Sequence, residues 1–245
     1  MSKKLLHFIA TIITSIFLIT LVYYFNVCSN TITIDVKKLE RANIKIINLT
    51  SGFNGSGTHI KLNEKSYILT SAHLFSRLNA DKDVIFIVAN DKLRNNDFTE
   101  KNEAALIFID RKKDLALIKI KKKWNHPYLK VAKREPKIGE PVWVIGNPII
   151  LNDIITFGKI KDKKENIHVL NAKIFFGNSG GAVVNRKGEI VGVTKSVFMG
   201  FGYCIPFLKN KSVIISYSEC VSLSSLKNFL KKVRERRKED KCFPK

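Results

Sequence analysis

The sequence predicts an all-β domain flanked by an apolar helix at its start and a basic amphipathic helix at its end. Three observations carry this. Between residues 44 and 205 the apolar residues fall in short runs, separated by turn-rich pieces and without a long helical period. From Leu5 to Phe25 runs an uncharged segment of 21 residues, interrupted by His7 and some hydroxyls. That is enough to cross a bilayer as a helix. After Ser222, the residues Leu223, Leu226, Leu230 and Val233 recur at helical spacing.

Taken in order, the chain opens with Lys3-Lys4 ahead of the apolar run, and Tyr23 and Tyr24 lie near its far end. Lysines before the run, and no charge after it until Asp35, place the N-terminus inside and the rest of the chain outside. The alternative is a signal peptide cut after Ser29, which releases a secreted protein. Residues 30–42 read as a polar linker. A first group of strands follows: Ile44–Leu49, His59–Leu62, Tyr67–Thr70, Val84–Val88, Ala105–Ile109 and Leu115–Ile120. Lys121–Lys137 reads as a connection. A second group follows it: Val142–Ile145, Ile154–Ile160, Ile167–Leu170, Ala182–Val184, Ile190–Lys195 and Gly202–Ile205. Periodicity alone leaves barrel and sandwich open. Ser222 is placed to cap the last helix, whose opposite face holds Lys227, Lys231, Arg234 and Lys238.

The net charge is +22, from 43 Lys and Arg against 21 Asp and Glu, and +14 of it lies between residues 31 and 210. Such a balance favours anionic neighbours, although a compositional bias toward lysine accounts for it equally well. The interleaved aromatic and basic residues of a nucleic-acid surface are missing, so nucleic acid is not an expected partner. Cys28, Cys204, Cys220 and Cys242 lack metal-ligand spacing. No metal or cofactor is expected. Cys204 and Cys220 are the pair to join if the chain is exported; otherwise Cys204 stays a buried free thiol.

The segment with the most chemistry is Phe176-Gly177-Asn178-Ser179-Gly180-Gly181. Two apolar runs joined by the turn Asn185-Arg186-Lys187-Gly188 follow it, so the serine sits on the loop leading into a hairpin. The glycines let the N–H groups of Gly177 and Ser179 converge on one point, as an oxyanion hole requires. A serine hydroxyl needs a base, and the base an orienting acid. His73 ends the run Tyr67-Ile68-Leu69-Thr70-Ser71-Ala72, and Asp114 opens Leu115-Ala116-Leu117-Ile118. His59, His126 and His168 have no such setting and read as surface residues.

The order His73, Asp114, Ser179 resembles that of the trypsin-like serine proteases, and most of all their HtrA (Deg) branch. Gly55-Ser56-Gly57-Thr58, Gly139-Glu140-Pro141, Val144-Ile145-Gly146-Asn147-Pro148, Thr156-Phe157-Gly158 and Gly202-Tyr203-Cys204-Ile205-Pro206 extend the likeness over about residues 42–208. The resemblance implies two packed six-stranded β-barrels with the active site between them. Boundaries follow: 1–30 for the anchor or signal, 31–125 and 126–210 for the barrels, 211–245 for the terminal segment. It also implies a serine endopeptidase acting through an acyl-enzyme on protein or peptide, in protein quality control or processing. Ser179 is the nucleophile, His73 the base and Asp114 the orienting acid. The alternative is a catalytically silent domain of this fold, serving as a membrane-anchored binding module. Relatives are often trimers, so a homo-oligomer stays open.

Asn178 stands where digestive members carry an aspartate that pairs with a new N-terminal amine. An amide cannot form that ion pair, so activation by a freed N-terminus is not expected. Two departures from the HtrA pattern stand out: Asn171 replaces an aspartate eight residues before the serine, and Phe175-Phe176 replaces Asn-Pro. Lys173, six residues before the serine, is placed by analogy at the base of the substrate pocket, with Lys195, Ser196 and Val197 as its wall. An ammonium inside the pocket selects acidic side chains. A Lys173 that reaches solvent leaves a pocket for small or apolar ones.

Overall fold

The computed structural model describes residues 14–20, 34–89, 102–121, 124–148, 154–199 and 216–242. Two units separate, Met1–Ile34 and Asp35–Lys245. Of the first, residues 14–20 are helical, and Ile16, Phe17, Leu18 and Ile19 are exposed. Most of the apolar run Leu5–Phe25 lies outside the described residues. Among these, no helix is long and apolar enough to cross a membrane.

The second unit holds two closed antiparallel barrels of six strands. The first is built from β1 (Asn43–Asn48), β2 (Asn54–Leu62), β3 (Lys65–Thr70), β4 (Ile85–Ala89), β5 (Asn102–Asp110) and β6 (Leu115–Ile120), in the order β1-β2-β3-β6-β5-β4. β4 pairs back onto β1 and closes the ring, with Ile46 opposite Ile87. Closure removes the open sheet edges that would otherwise invite aggregation. Alternate residues of β1, β3, β4 and β6 fill the interior, among them Ile44, Ile46, Ile68, Ile85, Ile87 and Ile118. β-branched side chains at every second position suit a pleated, half-buried surface. The short helix α1 (Val36–Ala42), capped by Asp35 accepting from the Lys38 N–H, precedes β1 where the sequence reads as linker.

The second barrel is built from β7 (Pro141–Gly146), β8 (Ile154–Lys163), β9 (Ile167–Leu170), β10 (Ala182–Val184), β11 (Ile190–Met199) and β12 (Ser216–Ser222), in the order β10-β11-β12-β9-β8-β7. Its core includes Val142, Val144, Ile160, Leu170, Val183, Val193 and Val221. Here the sequence reading needs correction. Gly202–Ile205 lies outside the described residues, and the barrel's sixth strand is Ser216–Ser222, beyond the boundary expected at 210. Serines dilute the apolar pattern of β12. Cys220 and Val221, which point to opposite faces of the strand, are both buried. Among the described residues Cys220 is a free thiol, and Cys204, its expected partner, lies outside them. Burial pushes the pKa of Cys220 up to about 12, so it stays a neutral, unreactive thiol.

Helix α2 (Leu223–Cys242) follows β12 directly, with Ser222 Oγ accepting from the Ser225 N–H at 3.3 Å. Leu223, Leu226, Phe229, Leu230 and Val233 are buried. The helix packs on the second barrel as its stripe requires, and it also reaches the first. Phe229 meets Phe108 of β5 edge-on, with ring centroids 5.4 Å apart, and Lys232 lies 3.7 Å from Asp110. Two histidines expected at the surface are buried, His59 and His168 at 1% exposure. His59 Nδ1 lies 2.9 Å from the Pro127 carbonyl, and His168 Nε2 lies 3.2 Å from Glu135. Both partners belong to the inter-barrel segment, which tethers that segment to each barrel in turn.

Candidate active site

His73 follows β3 in a single 3-10 turn, Ala72–Leu74, and Asp114 lies in the tight turn before β6. Because β3 and β6 are hydrogen-bonded neighbours, with Thr70 opposite Ala116, the two turns emerge side by side. Asp114 Oδ1 accepts from the His73 backbone N–H at 2.9 Å, and Oδ2 lies 2.9 Å from His73 Nδ1. The carboxylate thus holds both the backbone and the ring of the histidine. Asp114 is buried, while the His73 side chain is 43% exposed. Asp114 adopts φ +54, a left-handed conformation that costs a non-glycine residue about 1–2 kcal/mol. The turn's hydrogen bonds offset that cost: the Asp114 N–H reaches the Arg111 carbonyl, and the Lys113 N–H reaches Asp110 Oδ1.

Arg111 is a residue that the sequence reading passes over. Its guanidinium donates to the carbonyls of Ala72, Phe75 and Ser76. It pins the turn that carries His73 from the strand pair that carries Asp114. The signal was present in the run Arg111-Lys112-Lys113-Asp114, but nothing in a basic run says which side chain folds inward.

Ser179 occupies the loop ahead of β10. Gly177 has φ +99 and Gly180 φ +86. A Cβ on Gly180 would lie 2.2 Å from the Ser56 carbonyl oxygen and 2.2 Å from Thr70 Oγ1, so only glycine lets the loop approach the first barrel this closely. The N–H groups of Asn178, Gly180 and Gly181 bond to Phe175, Thr194 and Asn178 carbonyls, respectively. Those of Gly177 and Ser179, the two assigned to the oxyanion hole, donate to no other described residue.

The anchor of this loop is Ser56 of β2. Its N–H donates to the Ser179 carbonyl at 2.8 Å, and its hydroxyl to the Gly177 carbonyl at 2.6 Å. The same hydroxyl accepts from the Asn147 N–H at 2.7 Å, and the Ser56 carbonyl accepts from Thr70 Oγ1. Ser71 Oγ adds a bond to the Thr194 carbonyl. Gly55-Ser56-Gly57 marks this strand in the sequence, but its contact with the serine loop is a long-range one that no local pattern encodes. Asn178 is fully buried, and its amide atoms have no hydrogen-bond partner among the described residues. A charged carboxylate in that place would face a larger desolvation cost than the neutral amide does.

His73 and Ser179 line one cavity of about 460 Å³, together with Gly52, Phe53, Asn54, Leu74, Ile174, Phe175, Phe176, Gly177, Thr194 and Lys195. Its walls are mostly apolar. Of the residues expected in the substrate pocket, Lys195 lines this cavity, whereas Lys173 is exposed and Ile174 takes the wall position. The Lys173 carbonyl accepts from Thr156 Oγ1. Ser196 and Val197 continue β11, paired with Glu219 and Ser218 of β12. Asn171 holds β8 through Oδ1, which accepts from the Lys159 N–H at 2.7 Å.

Residues 55–193 match the family model described as trypsin-like peptidase domain. The chain is 33% identical over 171 residues to a probable periplasmic serine endoprotease DegP-like of Buchnera aphidicola, covering 63% of this chain and 34% of that protein. It is 32% identical over 170 residues to the serine endoprotease DegS of Escherichia coli K12, covering 62% and 45%. The match thus spans less than half the length of each of these relatives. In structure it resembles the crystal structure of the serine endoprotease from Yersinia pestis, with TM-score 0.63 and 28% identity, over 81% of this chain and 64% of that one.

Proposed function

The chain belongs to the trypsin-like peptidase family, and from that premise we propose that it is a serine endopeptidase of the HtrA kind working through Ser179, His73 and Asp114. The observation that carries this reading is the pairing of His73 Nδ1 with buried Asp114 at the edge of the cavity that Ser179 also lines. With Nδ1 engaged, Nε2 is the nitrogen left to serve the serine. Ser179 Oγ attacks the peptide carbonyl while His73 Nε2 takes its proton. The same proton passes to the leaving amine as the C–N bond breaks and the acyl-enzyme forms. Water, deprotonated by the same imidazole, then releases the acid. Asp114 keeps the ring in one tautomer and stabilises the imidazolium. The unengaged N–H groups of Gly177 and Ser179 receive the oxyanion.

The apolar cavity suits small or apolar side chains at the residue before the cut, in extended segments of protein substrates. Exposed Lys173 is not called upon for selectivity in this reading. The uncharged run Leu5–Phe25 serves as an anchor with the catalytic unit on the non-cytoplasmic side. The exposed apolar residues of the helical stretch 14–20 suit it, as do relatives whose names include the word periplasmic.

A fluorophosphonate probe tests the proposal. The purified full chain should take up one label, and Ser179→Ala should take up none and hydrolyse no peptide while melting at the same temperature. A chain that binds peptide but is never labelled is the silent binding module, and the proposal fails. A peptide library read on the wild type and on Lys173→Ala should show cleavage after Val, Ala or Leu in both. Cleavage after Asp or Glu that weakens in Lys173→Ala would return selectivity to the lysine.

A further inference from the structure

A second cavity, of about 550 Å³, lies where the inter-barrel segment runs beneath α2, and it shares no lining residue with the active-site cavity. Its floor is apolar: Ile60, Leu62, Leu129, Ala132 and Leu230 are all buried. Its rim is cationic, with Lys61, Lys130, Lys133, Lys227 and Arg234 and no acidic lining residue. Those five side chains are exposed. Lys61 Nζ sits 4.7 Å from the centre of the Tyr128 ring, and Lys227 Nζ donates to the Lys133 carbonyl. Glu64 lies 3.9 Å from Lys61 and its side chain is 94% exposed, too well solvated to cancel the field.

The backbone supplies a second feature. β2 and β3 are joined by the two-residue turn Asn63-Glu64, so the flanking pair Leu62 and Lys65 exchanges hydrogen bonds. The alternation then turns the N–H and C=O of Lys61 away from β3. His59, two residues earlier, faces the same way, and its carbonyl accepts from the Leu129 N–H. Across from it, the Lys130 carbonyl and the Ala132 N–H both bond to Ile190 of β11, so Val131 turns its own N–H and C=O away from β11. The β2 edge and the inter-barrel segment are therefore joined at His59 and Leu129. The pairing is not continued at Lys61 and Val131, both of which line the groove.

We propose that this groove is a docking site for an extended, acidic peptide segment of another protein. The segment adds as a strand to the Lys61 and Val131 edges, in the manner of β-augmentation. Its alternate side chains fall on the Leu62, Leu129 and Leu230 floor. The carboxylates between them meet Lys130, Lys133, Lys227 and Arg234, whose charge speeds the encounter and selects against basic sequences. Strand edges alternate N–H donors and C=O acceptors, which a polypeptide backbone matches and a phosphate group, an acceptor of hydrogen bonds, does not. Because the site lies apart from Ser179, its occupancy is independent of the hydrolysis proposed above.

Fluorescence anisotropy on the detergent-solubilised full chain, with Ser179→Ala to prevent cleavage, tests this with a labelled peptide alternating Glu and Val. Saturable binding is expected, weakened about tenfold or more by Lys227→Glu combined with Arg234→Glu, and again by N-methylation of alternate peptide amides. Lys130→Glu combined with Lys133→Glu, on the opposite wall, should act alike and serves if the helix pair lowers the melting temperature. No binding, equal binding of a Lys and Val peptide, or affinity indifferent to both charge pairs overturns the proposal. Indifference to N-methylation overturns the strand pairing. Displacement of the peptide by short-chain phosphatidylserine at lower concentration than by unlabelled peptide reassigns the groove to anionic lipid.

Discussion

The two halves of the proposed catalytic site are held in place by different means. His73 and Asp114 sit on neighbouring strands of one barrel, joined by direct side-chain hydrogen bonds and braced by Arg111 from that same barrel. The Ser179 loop belongs to the second barrel, yet its carbonyls at 177 and 179 are bonded to Ser56 of the first. The His73–Asp114 pair is thus a local construction, and the Ser179 loop a product of the interface. Ser56, a residue of the first barrel, thereby fixes the path of the loop that carries Ser179.

The sharpest break is Asp114→Asn. It keeps the size of the side chain and removes its charge, so the ring loses its tautomer control while the Ser179 loop is untouched. A fall in kcat of about 10⁴ is expected, with the fold retained. Crystals or solution spectra showing an unchanged nucleophile loop, alongside that loss, would confirm that the pair acts locally. Ser56→Ala attacks the other half. It strips a bond from the Gly177 carbonyl and leaves the Asn147 N–H buried without its acceptor, costing about 2–3 kcal/mol in denaturant melts. Displacement of the Gly177 peptide should lower kcat by about 10², the scale of losing one oxyanion donor. Unaltered kcat in a destabilised Ser56→Ala protein would show that the loop keeps its shape without the first barrel.

A smaller effect concerns the inter-barrel segment. Desolvation by burial lowers the pKa of His59 and of His168, more than the Pro127 carbonyl and Glu135 raise them. Each is neutral when folded, whereas the unfolded chain binds a proton below about 6.5. The unfolded state then holds more protons, so stability present above that value is lost as pH falls toward the folded pKa values. Melting temperature should drop as pH falls below about 6.5, and His59→Gln combined with His168→Gln should flatten that slope. A slope unchanged in the double variant would place the acid sensitivity elsewhere.

The strands of both barrels were legible because alternation is a local signal, and Ile44, Ile46 and their neighbours carry it without help. The motifs around His73, Asp114 and Ser179 were legible because their turns are short and glycine-dependent. β12 was not, since Ser216, Ser218 and Ser222 interrupt the apolar alternation and only pairing with β9 and β11 shows its place. Ser56 and Arg111 escaped for a related reason: the turn and loop that they brace lie more than thirty residues away, as for Ser56 and Gly177, separated by 121 positions. Ile174 in place of Lys173 reflects a loop whose path follows long-range bonds such as that from Thr156 Oγ1 to the Lys173 carbonyl, which spacing from the serine does not report.

The late position of β12 in the chain has a consequence for biosynthesis. The segment bearing Ser179 leaves the ribosome well before the strand that closes its barrel, a delay of a few seconds at roughly 5–20 residues per second. Through that interval the first barrel, whose six strands have all emerged, can fold, while the nucleophile hangs on an open sheet. On the proposed reading, the site around Ser179 is complete only once β12 has closed the barrel behind it.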